Sequence, residues 1–159
     1  MCACGLEPLA KGPPPAPSPD IVLRGVTMRN YRDSSLHLTA TMPRLELMRE
    51  STDLQALDVN AHLATGTVVS AKTVGGNANE GRIVGSNGVR FRSPDNVVGT
   101  APAATYEKAV GPQGSAHGEV GVQLDHPQFS LQAQAFTIDF ATQKADFTKA
   151  VTKTKGRDP

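Results

Sequence analysis

The sequence has no tryptophan, and only 4% of its 159 residues are aromatic. Both cysteines, Cys2 and Cys4, lie at the extreme N-terminus, where they cannot link parts of a core that begins later. No segment approaches the roughly 20 consecutive apolar residues that a membrane-spanning helix needs. A disulfide-stabilised scaffold and a spanning helix are therefore both excluded for the residues printed.

An excess of charge of one sign is also missing, because 16 Lys and Arg residues are balanced by 15 Asp and Glu. A surface that neutralises a phosphate backbone needs a clear basic excess. The balance therefore predicts that nucleic acid is not a partner. What is present is 38% apolar residues with 15 glycines and 12 prolines, which indicates one globular domain rich in turns rather than a helical bundle.

The first 20 residues differ in composition from the rest, and residues 5–20 hold half of the prolines. Such segments adopt extended polyproline II and act as spacers. The first five residues resemble the end of a bacterial lipoprotein signal, in which a small residue precedes the lipidated cysteine, here Cys4 after Ala3. The alternative is a pair of exposed thiols on a free end. We expect residues 1–20 to be a tether, residues 21–152 the folded domain and residues 153–159 a basic tail.

From residue 21 onward the main period of the apolar residues is two, which is typical of strands with one dry and one wet face. The alternation is plainest from Leu36 to Met42. Beyond residue 129 the apolar set changes parity, from Leu131 to Phe136, which predicts a bulge or bend within a strand. A short helix between Arg44 and Leu57 is the competing interpretation.

Turn-forming clusters separate these runs, among them Gly75-Gly76-Asn77, Asn87-Gly88 and Pro94-Asp95-Asn96. Asn87-Gly88 predicts a type I′ hairpin. Together the runs and turns predict an all-β fold of antiparallel strands, as a sandwich, a jellyroll or an open barrel.

The sequence contains few signs of catalysis. The four histidines lie on separate predicted hairpins without the spacing of metal ligands, and acidic residues occur singly, so we expect no metal and no cofactor. Asp125-His126 lacks a nucleophile in a recognisable elbow, and a hydrolase would need a cleft around this pair. Residues 75–81 lack the Gly-Lys-Ser/Thr end of a phosphate loop. The sequence predicts a protein that is not an enzyme.

A family resemblance is carried by residues 83–151, and more weakly by residues 25–40. Its motifs are Gly88-Val89-Arg90-Phe91, Ala103-Ala104-Thr105-Tyr106, Gly118-Glu119-Val120-Gly121-Val122-Gln123-Leu124, Phe129-Ser130-Leu131-Gln132-Ala133, Asp139 and Ala145-Asp146-Phe147-Thr148-Lys149-Ala150-Val151. This part of the chain resembles the C-terminal part of LptC and the OstA-like domain that LptC shares with LptA in the bacterial lipopolysaccharide-export machinery.

The resemblance implies an antiparallel β-jellyroll, open along one side, that holds lipid A chains as lipopolysaccharide leaves an inner-membrane ABC transporter. It also implies a periplasmic location, no catalysis and strand addition to a neighbouring jellyroll of the LptA type. The family commonly has an N-terminal transmembrane helix, and here attachment through Cys4 would replace it.

The inward parity of the strands predicts which side chains line the lipid path. They are Leu38, Val59, Phe91, Val122, Leu131, Phe136, Ile138 and Phe140. The last strand, around Phe147 and Val151, is the predicted docking edge for a neighbour. The alternative is a structural or adaptor lipoprotein in which the same sandwich has a filled core and no lipid path.

Overall fold

A computed structural model describes residues 18–32, 34–77, 79–108, 114–139, 142 and 144–156. Its strands form one large antiparallel sheet that is not closed into a barrel, so the fold is an open, jellyroll-like β-sandwich. The all-β prediction is confirmed. The part of the chain that the structure describes contains no helix that could cross a membrane.

The strands differ in length between the two parts of the chain. The N-terminal part has the long strands β1 (Ile21–Arg32), β2 (Ser35–Leu47), β3 (Asp53–Leu63), β4 (Val68–Asn77) and β5 (Arg82–Arg92). The C-terminal part has the short strands β6 (Val98–Ala101), β7 (Ala104–Glu107), β8 (Ser115–Gly118), β9 (Val122–Asp125), β10 (Phe129–Ala133), β11 (Ala135–Asp139), β12 (Lys144–Thr148) and β13 (Val151–Thr154). The last strand therefore extends beyond the boundary predicted at residue 152.

The sheet divides at β5, because the two ends of this strand pair with different neighbours. Val89–Arg92 pair with β6, and the order continues through β9 and β10 to β13. Arg82–Gly85 pair with β7, and pairing continues through β8 and β11 to β12. Successive short strands, such as β6 and β7, are thus two parts of one bent strand.

We name the two parts of the sheet by their strands. Half-sheet I comprises β6, β9, β10 and β13 with residues 26–32, 35–42, 59–63, 68–71 and 89–92 of the long strands. Half-sheet II comprises β7, β8, β11 and β12 with residues 21–24, 44–47, 53–57, 73–77 and 82–86. Side chains from both half-sheets pack together in each core cluster, so the sheet is folded over on itself.

A line of bends separates the half-sheets and crosses each of these strands. It passes through Gly25, Pro43, Asp58, Lys72, Asn87-Gly88, Pro102-Ala103, Glu119-Val120-Gly121, Gln134 and Lys149-Ala150. Several of these residues have the positive φ of the left-handed region, for example Asp58 at 50° and Gly121 at 86°.

At the bends two or more successive residues point outward. Leu57 and Asp58 are both exposed between inward-facing Ala56 and Val59. The convex side of a bend is longer than the concave side, and an additional outward residue supplies the extra length. Where two residues point outward the inward set changes parity, as the sequence predicted for residues 131–136, where the change falls at Gln134. Where three residues point outward, as between Gly85 and Val89, the parity is kept.

Two local predictions from the sequence are wrong, and the helix of the competing interpretation for Arg44–Leu57 does not form. Asn87-Gly88 forms a bend inside β5 and not a hairpin. Both residues have the positive φ angles that a type I′ turn requires, and a bend within a strand can use the same pair of angles. Gly75-Gly76-Asn77 belongs to β4, and the turn follows it. Arg44–Leu57 contains no helix but the end of β2, a turn and the start of β3.

Glycine allows two phenylalanine rings to lie flat across the sheet. Phe91 is paired with Gly99, and Phe136 is paired with Gly118. A Cβ atom on either glycine would overlap the ring opposite it. These two rings cover the backbone in the cluster around Val122, which is the larger core of the protein.

The Gly99→Ala variant should lose about 1–3 kcal/mol of unfolding free energy, because the new methyl group displaces the packed Phe91 ring. Chemical denaturation measures this loss. The matched control is Gly75→Ala in β4, where the nearest atom to the new Cβ is the Leu54 carbonyl oxygen at 3.9 Å, so stability should change by less than about 1 kcal/mol. Equal stability of Gly99→Ala and wild type would contradict the packing.

Candidate functional site

The inner face of the folded sheet is built from side chains that the strand register aligns in rows. In half-sheet I one inner row is Met28, Ala40, Ala61, Val69, Phe91, Gly99, Leu124, Leu131 and Thr152. In half-sheet II one inner row contains Leu23, Leu45, Ala56, Val74, Gly85 and Ala104, and it continues on β8, β11 and β12 with Gly118, Phe136 and Phe147. A second row of half-sheet II is Ile21, Leu47, Leu54, Gly76, Ile83, Tyr106, Ala116, Ile138 and Ala145. None of these described residues is charged.

The inner face is covered at one end and accessible at the other. Near the C-terminal strands Phe136 is only 8% exposed and packs with Val122 and Leu124. On the edge strand β1, Leu23 is 41% and Met28 is 47% exposed although both belong to inner rows. An edge strand has a neighbour on one side only, so its inward side chains are left in contact with solvent. On β2 and β3 the inward side chains of Ala40, Met42 and Ala56 are again buried, so the apolar surface that solvent reaches here lies along β1, and we call this accessible apolar edge the trough.

The structure brings the predicted lining residues to this one face. Val122 and Phe136 are buried, and the half-buried ones are Leu38, Val59, Phe91, Leu131 and Ile138. They do not form a single group, because Val59 packs with the N-terminal cluster around Met42. Phe140 and Cys4 lie outside the described residues.

Sequence reasoning missed the lining residues of β1. Leu23 and Val26 have opposite parity, so a simple period of two does not place both on one face. Gly25, with a φ of 60°, lies between them and changes the parity. A glycine between two pairs of apolar residues that have opposite parity is the sequence signal that would have identified these lining residues.

The predicted docking residues lie at the other edge of the sheet. Among the described strands β12 pairs with β11 alone, and β13 pairs with β10 alone. Phe147 nevertheless packs against the core cluster, whereas Val151 is 60% exposed. The two residues therefore differ in surroundings, and Val151 is the one that solvent reaches.

The outer face of half-sheet II carries a shallow depression of about 320 Å³. It lies over Gly75, which has no side chain to fill it, and is bordered by Glu46, Gln55 and Val84. The Glu46 carboxylate is bound by Arg44, with 2.6 Å between Oε1 and the guanidinium Nη2. This rim carboxylate is thus already held by a residue of the protein itself.

Asn77 ties two neighbouring turns together next to Asp53, which lines the depression. Its Nδ2 donates to Asp53 Oδ1 and to the Ser51 carbonyl oxygen, each at 2.8 Å. Its Oδ1 accepts from Thr52 Oγ1 at 3.2 Å and from the Asn79 backbone N–H at 3.0 Å. Hydrogen bonds from the side chains of Ser51 and Asn77 lower the pKa of Asp53 below its ordinary value of 3.8.

The polar pair that a hydrolase would need has structural roles. Asp125 is ion-paired with Lys155, and His126 Nδ1 accepts the backbone N–H of Gln128 at 3.2 Å. The His126 ring also stacks on Phe129, with 4.8 Å between centroids. Within the described ranges no three His, Cys, Asp or Glu side chains are grouped as a metal site would require.

Fold and site together define an all-β protein with an open, apolar inner face. Comparison with family models and with curated proteins found no match to this chain. Its function must therefore be argued from the trough itself.

Replacing Asn77 with Ala should raise the pKa of Asp53 towards 3.8, because the carboxylate loses a donor at 2.8 Å. A folded-state pKa below the unfolded value stabilises the fold above pH 3.8, and this contribution is lost as the pH falls through the folded pKa. Carboxyl-carbon NMR titration measures the shift. Asn60→Ala, on the other half-sheet, should leave the pKa of Asp53 unchanged, and an equal change in both variants would contradict the assignment.

Proposed function

We propose that this protein is a non-enzymatic carrier of lipopolysaccharide, which it receives from an inner-membrane ABC transporter and passes along the trough. The observation that carries the proposal is the composition of the inner rows, which contain no charged side chain from β1 to β12. The resemblance to LptC and OstA-like proteins supports the same function. The protein would act in the periplasm, attached to a membrane through Cys4.

An apolar trough suits acyl chains because their binding requires no directional partner. Each methylene removed from water contributes about 0.8 kcal/mol, so a few chains supply enough free energy for binding without a hydrogen bond. Leu23 and Met28 provide exposed apolar surface at the open edge, where a chain would first make contact.

The absence of charge from the inner rows also indicates how the cargo would lie. A phosphate group taken into the trough would lose its hydration and find no basic partner among the described inward residues. The headgroup therefore remains in solvent beyond β1, while the acyl chains lie between the half-sheets. This arrangement allows lateral entry and exit without unfolding.

The two edges of the sheet suit strand addition to a neighbouring jellyroll of the LptA type. β1 and the β12–β13 side each present backbone groups that pair with no other described strand. Main-chain hydrogen bonds to an added strand would supply affinity. Val151, at 60% exposure, would be covered by such a neighbour.

One observation favours the alternative, an adaptor protein with a filled core. Around Val122 the rings of Phe91 and Phe136 lie directly on glycine, so this end of the interior is closely packed. The cluster around Met42 also packs side chains of both half-sheets, so in the carrier lipid would lie at the β1 edge, against the exposed Leu23 and Met28. Absence of saturable uptake of an acyl probe by the folded protein would favour the adaptor.

Replacing Leu23 with Asp should weaken uptake of a fluorescent acyl probe by about tenfold or more, because a carboxylate at the trough edge opposes burial of a methylene chain. The matched control is Val22→Asp. Val22 has the same 41% exposure and lies next to Leu23, but its row faces outward with Glu46. Equal loss in both variants would contradict entry through the inner face.

Photo-crosslinking amino acids at Met28 and Leu38 should capture lipopolysaccharide, because both side chains are inward and lie on β1 and β2, near the accessible edge. The same probes at Thr27 and His37, which are exposed neighbours on the outer face, should not. Immunoblotting for lipopolysaccharide adducts after irradiation gives the result. Comparable labelling at all four positions would refute the lining assignment.

A further inference from the structure

The outer face of half-sheet I brings together basic side chains that are far apart in the sequence. Strand register aligns one row as Arg29, Thr39, His62, Val68, Arg92, Val98, Asp125, Ser130 and Lys153. The adjacent row contains Arg90 between Ser70 and Thr100. We call these two rows the basic face.

The arginines of the basic face are exposed and have no ion pair or hydrogen bond among the described residues. This holds for Arg29, Arg90 and Arg92. The acidic member of the row, Asp125, is neutralised by Lys155. The face therefore presents positive charge that no residue of its own surroundings compensates.

The outer face of half-sheet II is different. Its charges are of both signs, and two of its arginines are ion-paired, Arg44 with Glu46 at 2.6 Å and Arg82 with Glu107 at 3.7 Å. Acidic Asp139 and Asp146 also lie there, in register with Lys144 and Thr137. Exposed basic side chains such as Arg24 and Lys144 also occur there, but they share that face with acidic groups, whereas the one acidic side chain in the two rows of the basic face, Asp125, is already ion-paired.

The geometry of the basic face is broad and shallow. Neighbouring strands are about 4.8 Å apart, so Arg29 and Arg92, four strands apart in the row, are separated by about 19 Å. Short apolar side chains, Val68 and Val98, lie beside Arg92 in the row. Dispersed arginines on an extended sheet match a plane of separate anionic headgroups.

We propose that the basic face docks on the surface of an anionic lipid bilayer. Each Lys or Arg close to such a surface contributes about 1 kcal/mol of attraction. Duplex nucleic acid is the poorer match, because its dense line of phosphates requires clustered basic residues. The proposal is independent of whether the trough carries lipid, since it concerns the opposite surface of half-sheet I.

The test is co-sedimentation of the full chain with vesicles, in a Cys4→Ser background so that no acyl group at Cys4 contributes. Vesicles of phosphatidylcholine and phosphatidylglycerol in equal amounts should bind the protein at low salt, and pure phosphatidylcholine vesicles should not. The triple variant Arg29→Gln, Arg90→Gln, Arg92→Gln should bind roughly fivefold more weakly for each charge removed, on the order of 100-fold in total.

The matched control removes three exposed positive charges elsewhere, with Arg24→Gln, Lys72→Gln and Lys144→Gln, and should retain most of the binding. Circular dichroism and thermal unfolding confirm that both variants are folded. The proposal is overturned if the control loses as much affinity as the triple variant, or if wild type ignores the anionic vesicles. Tighter binding of wild type to duplex DNA than to these vesicles would also overturn it.

Discussion

The structure depends on one geometric constraint, which is that a strand can bend sharply towards its inner face only if its outer side gains length. At each bend two or more successive residues point outward; where there are two, as at Leu57 and Asp58, the inward set resumes with the opposite parity. Because neighbouring strands bend at the same line, the pairing remains antiparallel on both sides of it. A single sheet thereby forms both walls of a sandwich.

This constraint also explains the exposed apolar residues that would otherwise be unexpected. Val120 is 68% exposed because it is one of the outward residues at the bend between β8 and β9. Leu23 and Met28 are exposed for another reason, since they face inward on an edge strand with no described neighbour beyond it. Only the second kind of exposure belongs to the trough, and it gives the proposed cargo a place to enter.

The two outer faces have separate roles in the proposed arrangement. One half-sheet mixes charges of both signs, with pairs such as Arg44 and Glu46, while the other leaves Arg29, Arg90 and Arg92 without an acidic partner among the described residues. A folded sheet has an inner and an outer surface on each wall, so lipid contact inside and surface attraction outside do not compete for the same residues. A chain of almost zero net charge can in this way have one strongly basic side.

The sequence by itself determined that the chain forms strands, which residues share a face in strictly alternating runs such as Leu36 to Met42, and that the parity changes near Gln134. These properties are local, because alternation and bulges involve residues only a few positions apart. Tertiary structure decided that Asn87-Gly88 is a bend and not a hairpin, since both conformations use the same positive φ angles. It also decided which edge exposes the trough and which distant arginines meet in one row. Those outcomes depend on which strands pair, and pairing joins residues whose separation leaves no periodic signal in the sequence.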